Sequence, residues 1–163
     1  MRYNQIRKMD ISNGPGVRVS LFFQGCHFHC KDCFNSETWD FSKGKPFTDE
    51  IIDEIIKIAD HDYIDGLSIL GGEPMHPTNV EGTIQLAKKF KEKYPNKNIW
   101  VWTGYKFEDI PNKGALPYID VLVDGQFITE LYAPNLKWKG SANQRVIDIK
   151  KTLKENKIVI IED

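Results

Sequence analysis

Cysteine is scarce in this chain and confined to one place: Cys26, Cys30 and Cys33 are the only three in 163 residues. An odd number cannot pair completely within one chain, which excludes a disulfide-built scaffold and turns attention to metal or redox chemistry. Long apolar runs are missing as well. The longest, such as "IVII" at 158–161, fall far short of the about 20 residues that a membrane-spanning helix needs. The N-terminus "MRYNQIRKMD" has no apolar core of the secretory kind, so no signal peptide is read there. Charge of one sign is not in excess: 22 Lys plus Arg face 23 Asp plus Glu, for a net charge of −1. That balance lacks the basic footprint of a nucleic-acid binder. No repeat, low-complexity tract or linker divides the chain. These absences lead us to expect a cytoplasmic protein, one domain over residues 1–163, with neither membrane nor nucleic acid as partner.

What is present is an alternation of strand-like and helix-like segments. "VRVSLFF" (17–23), "LSIL" (67–70), "IWVW" (99–102) and "IDVLVD" (119–124) read as strands. "RVIDI" (145–149) and "IVIIE" (158–162) read as two more, with a short turn or helix between them. Thr48, followed by Asp49 and Glu50, reads as the start of a helix over 48–60, with Ile51, Ile52, Ile55, Ile56 and Ala59 at helical spacing. Thr78 to Glu81 fits a capping box before a helix whose apolar face is Val80, Ile84, Ala87, Phe90 and Tyr94, ended by Pro95. Alternating strands and helices predict an α/β protein with a parallel sheet. A full eight-unit barrel takes about 250 residues. The expectation is therefore an incomplete, open (β/α) barrel of about five to six mostly parallel strands. Ligands of such folds sit at the C-terminal strand ends, where Cys26, Gly71-Gly72-Glu73, Thr103-Gly104 and Asp124 all fall.

The cysteines occupy "FFQGCHFHCKDCFNSETW" (22–39) with the spacing C-x3-C-x2-C. Three thiolates on a short loop can hold three corners of a cubane iron–sulfur cluster, which normally takes four cysteines. With no fourth cysteine, one iron would keep an open position for a substrate or cofactor. A zinc site made by the cysteines with His27, His29 or His76 is the other reading of the same residues, although only one C-x2-C pair is present. His27 and His29 read first as exposed loop residues. Gly71-Gly72 ends its strand either as a plain turn or as a place where the backbone comes close to a ligand.

The cysteine loop resembles the signature of the radical S-adenosylmethionine (SAM) superfamily. "NGPGVRVSLFFQGC", "CFNSETW", "GGEP", "VWTGY", "DVLVDG" and "GSANQRVID", in this order from about residue 13 to 149, resemble its activating proteins of anaerobic ribonucleoside-triphosphate reductase. The resemblance implies a radical SAM-type fold and a [4Fe-4S] cluster on Cys26, Cys30 and Cys33, with SAM on the open iron. It implies cleavage of SAM to a 5′-deoxyadenosyl radical and a glycyl radical installed on a glycine loop of the reductase. An external electron donor such as flavodoxin would supply the electron. SAM contacts are implied at Gly71, Gly72 and Glu73 for the methionine ammonium, and at Thr103 and Asp124 for the ribose end. Most of the superfamily has an aromatic before the third cysteine; here Asp32 precedes Cys33 and the aromatic Phe34 follows, and these three are the candidates for the adenine side. Asn143 and Arg145 belong to the matching segment, with Arg145 able to pair with a SAM carboxylate or with an acid at the sheet edge. The alternatives are a small radical SAM enzyme of deazapurine synthase type and a zinc-stabilised module without catalysis.

Overall fold

The protein is described from a computed structural model over residues 1–161. The chain forms β1 (Arg2–Asp10), β2 (Arg18–Gln24), β3 (Lys45–Pro46), α1 (Asp49–Ile58), β4 (Gly66–Gly71) and α2 (Val80–Lys93). It continues through β5 (Asn98–Trp102), β6 (Val121–Asp124), β7 (Arg145–Asp148) and α3 (Ile149–Glu155). All seven strands join one mixed sheet in the order β3-β1-β2-β4-β5-β6-β7. The four central strands β2, β4, β5 and β6 run parallel; β1, β3 and β7 are added antiparallel at the flanks.

Five to six strands were expected, and the sheet has seven. The addition that matters most is β1. Register shifts between Tyr3 and Gln5 and between Arg7 and Asp10 break its period-two alternation, and only Tyr3 and Asp10 are buried. A strand so bulged and polar carries no hydrophobic signal for a period search to find. The expected strand at 158–162 is an isolated bridge, Ile147 to Ile160, and Glu162 lies outside the described residues. Its apolar run packs beside β7 without extending the ladder: Asp148 N–H donates to Val159 O and Ile161 N–H to Val146 O.

Local signals also met competition. Thr48 precedes α1 as read, but its side chain caps nothing. The capping box at Thr78 and Glu81 does not form, because the helix starts one residue later, after Asn79. Thr78 N–H is taken by His76 Nδ1 instead, and Glu81 accepts from Gln85 on its own helix. Asn79 is fully buried, and its amide reaches the backbone oxygens of Gln24, Gly25 and Glu73. Tertiary demand for a donor at that point outweighs the local cap. Between β5 and β6 the chain crosses by two short 3-10 turns, Phe107–Asp109 and Leu116–Tyr118.

The pleat divides β2, β4 and β5 into two faces. Val19, Leu21, Phe23, Leu67, Ile69, Ile99 and Val101 point one way and join the helix residues Ile52, Ile55, Leu86, Ala87 and Phe90 in the main core. Arg18, Ser20, Phe22, Ser68, Leu70, Trp100 and Trp102 point the other way, where no helix among the described residues covers them. That face carries the site.

Candidate functional site

The cysteine loop leaves β2 at Gly25 and is held at its stem by the backbone. Gly25 N–H donates to Thr38 O and Cys26 N–H to Trp39 O, so the returning limb of the loop closes on its start. Within the loop, Cys33 N–H donates to Cys30 O, and His29 and Asp32 take left-handed backbone conformations at φ 48° and 60°. All three cysteines are free and partly buried. They line one cavity of about 500 Å³, together with Phe22, Leu70 and Trp102 from the uncovered sheet face.

The thiols are fitted for a cluster. Burial pushes Cys26 up to about 11 and raises Cys30, so each must shed a proton on binding metal. Backbone N–H groups offset that cost: Phe28 and His29 face Cys26, Phe127 faces Cys30, and Asn35 N–H lies 3.4 Å from Cys33 Sγ. Hydrogen bonds onto sulfur are how iron–sulfur sites tune their potential. Among the described residues no three or more His, Cys, Asp or Glu gather to hold one ion. The cysteines of a cubane bind three different irons, so they have no need to converge on a point. A single-ion zinc site does, and His27 and His29 are instead exposed, His27 tilted against Phe28 and His29 stacked on Trp39.

Gly71 and Gly72 answer the question of turn or close approach. Gly71 has φ +121°, and a Cβ there would strike the backbone of Phe23. A Cβ on Gly72 would strike the backbone of Gly25. The close approach is made to the stem of the cysteine loop, and both glycines line the cavity. Asn35 Nδ2 donates to Gly71 O from the far limb of the loop.

Glu73 is only 1% exposed, and burial pushes its carboxyl up to about 7. Oε2 accepts from Thr103 Oγ1 at 2.6 Å and from Met75 N–H at 2.9 Å; Oε1 accepts from Gly104 N–H at 2.7 Å. Glu73 and Thr103 thus hold each other, tying the end of β4 to the end of β5 at the cavity wall. Asp124 is elsewhere. It accepts from Arg145 at 2.5 Å and from Phe107 N–H, and it lines a second cavity with Arg145, Tyr105 and Lys106. Arg145, held strongly in its charged form by Asp124 and Glu108, is spent on acids at the sheet edge. Asp32 accepts from Thr129 Oγ1 at 2.8 Å and does not line the cysteine cavity. Phe34 does line it, 65% exposed and packed on Phe127 and Tyr132.

Those last partners are what the sequence reading missed. The segment 125–140, after β6, lies against the cysteine loop and supplies Phe127, Tyr132 and Trp138 to the cavity. Asn35 and Gln144 were missed as well. "CFNSETW" and "GSANQRVID" contain both, but a lone amide side chain carries no periodicity that would mark it.

The comparisons agree with this site. Residues 12–147 match the model of the 4Fe-4S single cluster domain family. A protein of Vibrio cholerae named anaerobic ribonucleoside-triphosphate reductase-activating protein is 47% identical, over 88% of this chain and 96% of its own length. Those of the same name from Haemophilus influenzae and Enterobacteria phage T4 are 45% and 42% identical, over 88% and 90% of this chain and 96% and 93% of their own. The stretch that matches the iron–sulfur family holds all three cysteines, both glycines and the loop that closes on them, and the chain belongs to the family of anaerobic ribonucleoside-triphosphate reductase-activating proteins.

Proposed function

We propose that the chain is a radical SAM activating enzyme. A [4Fe-4S] cluster and SAM, bound in the large cavity, would install a glycyl radical on anaerobic ribonucleoside-triphosphate reductase. The observation that carries this reading is the meeting of Cys26, Cys30, Cys33 and Gly71-Gly72 on one cavity at the C-terminal ends of parallel strands. The relatives' names support the choice of partner. When bound, the cofactor pair would supply one-electron cleavage of SAM and, through it, removal of a hydrogen atom from a glycine Cα of the reductase.

The chain's own residues hold and shield. Cys26, Cys30 and Cys33 would hold the cluster and leave it one open position for SAM. Backbone acceptors at Gly71 and Gly72 would receive the SAM ammonium. Glu73 is a positioning residue: its carboxylate fastens the glycine segment to Thr103 and Gly104. Phe22, Leu70 and Trp102 make an apolar floor that excludes water from a reactive intermediate. The sheet acts as an incomplete, open barrel in a single domain, with helices on one face only. The missing wall would come from the reductase, whose glycine loop must reach into the cavity. An external donor such as flavodoxin delivers the electron, in the cytoplasm.

The test is anaerobic reconstitution of the full chain with iron and sulfide. About four iron and four sulfide per chain are expected. SAM cleavage should be slow alone and rise on adding the reductase, with a glycyl radical signal by electron paramagnetic resonance. Zinc without sulfide, or fast turnover of a small molecule with no reductase present, would overturn the reading.

A further inference from the structure

One motif remains without a role after the site is built: the turn "SANQ" at 141–144. Its three polar side chains, Ser141, Asn143 and Gln144, each bond to the backbone of the segment 125–140. Gln144 Oε1 accepts from Gly140 N–H at 2.8 Å and Ser141 N–H at 3.1 Å, while its Nε2 donates to Gly125 O at 2.9 Å. One amide therefore joins both ends of the segment. Asn143 Nδ2 donates to Gln126 O, and Ser141 Oγ accepts from Ile128 N–H. Ala142 N–H closes on Leu131 O.

The segment so fastened presses on the cysteine loop at Cys30, Asp32 and Phe34. Cys30 Sγ lies 3.9 Å from Gln126 Oε1. Thr129 Oγ1 donates to Asp32 Oδ2. Phe127 and Tyr132 pack on Phe34. The segment contains no strand, and its one helical piece is the 3-10 turn Thr129–Leu131. Its anchor to the sheet is at the far end, where Trp138 O accepts from Trp102 Nε1 at 2.8 Å and the Trp138 ring meets Trp100, which leaves residues 126–132 to the turn at 141–144. Ile128, Leu131 and Tyr132 are exposed.

We propose that Gln144 is a positioning residue for the iron–sulfur site: it buckles the 125–140 segment against the cysteine loop, and the segment in turn sets the place and the shielding of Cys30. Gln144 lines the cavity but touches none of the three thiols in the hydrogen-bond network, so its action is indirect. Opening the buckle frees the segment, withdraws the Phe127 N–H and the Gln126 amide from Cys30, and leaves Cys26 as it was, since the stem bonds of Cys26 come from Trp39 and the returning limb.

The proposal builds on the cluster reading but can be tested without it. The full chain, stripped of metal and kept reduced, is pulsed with iodoacetamide, and labelling of each cysteine is followed by mass spectrometry. In Gln144→Ala the Cys30 rate should rise about tenfold over wild type because the thiol loses the cover of the segment; tenfold is the factor by which about 1.4 kcal/mol of lost Gln144 hydrogen bonding favours the open segment. Cys26 should label at the wild-type rate. Gln144→Glu keeps the acceptor and loses the donor, and should fall between the two. Thr129→Ala, which breaks the far latch on the surface, should raise Cys30 labelling by a smaller factor with Gln144 intact. Unchanged Cys30 labelling in Gln144→Ala overturns the proposal. So does an equal rise at all three cysteines with a lower melting temperature, which would make Gln144 a general support of the fold. In the cluster-loaded protein the same variant should shift the cluster's midpoint potential at unchanged iron content.

Discussion

The two faces of the central sheet are made from the same strands and could hardly differ more. Ile69 and Leu70 are neighbours in β4, yet Ile69 is packed beneath α1 and α2 while Leu70 borders the cavity. On the helical face the strands present aliphatic side chains at alternate positions, and the helices answer with Ile52, Ile55, Leu86 and Phe90. On the other face the same alternation presents Arg18, Ser20 and Ser68 at one end and Phe22, Leu70 and Trp102 at the other. Arg18 is fully buried, with its guanidinium on Ser68 Oγ and the carbonyls of Pro15 and Leu67. Burial lowers its pKa to about 10, which still leaves it charged at neutral pH. One face supplies the stability of the fold. The other gives up a covering layer and keeps an open volume above the strand ends.

The largest expected effect is loss of the site with the fold kept. If the proposed function holds, Cys26→Ala, Cys30→Ala and Cys33→Ala should each abolish cluster assembly and SAM cleavage, because one iron would lose its only protein ligand. Thermal unfolding of the metal-free chain should change little, since the loop lies outside the main core. A single variant that retains full iron and sulfide would break the comparison at its root.

Next come the neighbouring strand residues. Ile69→Ala should cost about 2–5 kcal/mol in urea unfolding, as it leaves a void in packed surroundings. Leu70→Ala should cost about 2 kcal/mol, near the bottom of that range, because its neighbour is already a cavity. Equal costs would mean that the two faces are packed alike. Activity should report the reverse order, with Leu70→Ala the more damaging to SAM cleavage.

The smallest effect is a slope. The Glu73 carboxyl is pushed up to about 7 by burial, against an ordinary value of 4.5. The folded chain therefore holds this proton more tightly than the unfolded chain does. Its contribution to stability is complete below about pH 4.5 and is lost as pH rises through 7, about 3 kcal/mol in all. Glu73→Gln keeps the shape of the neutral form and should flatten the fall in unfolding free energy between pH 5 and 8. An identical slope in wild type and variant would show that Glu73 is ionised throughout.

Much of the helical face was legible in the chain. The isoleucine spacing of α1 and the β-branched runs of β2, β4 and β5 are local patterns, and each element formed close to where its period placed it. The site was legible in part. Cys26, Cys30 and Cys33 stand eight residues from end to end, so their meeting is a property of one loop. Asp124 shows the limit: its strand end was read correctly, but Arg145 and the Phe107 N–H, which claim its carboxylate, approach from other parts of the chain.

The sequence by itself therefore determined which groups this protein has to work with: three thiols at a spacing that suits a cubane, a glycine pair one strand later, and strands alternating with helices through the middle of the chain. Only the tertiary structure decided what each of these touches. The glycines meet the stem of the cysteine loop, Glu73 turns inward to Thr103, Asp124 is withdrawn to Arg145, and the segment 125–140 folds back on Cys30 under the hold of Gln144. The reason is physical. A thiol's affinity for metal is intrinsic to the residue and survives any fold that exposes it, whereas a buried carboxylate or amide must take whichever donors and acceptors the folded chain brings within about 3 Å.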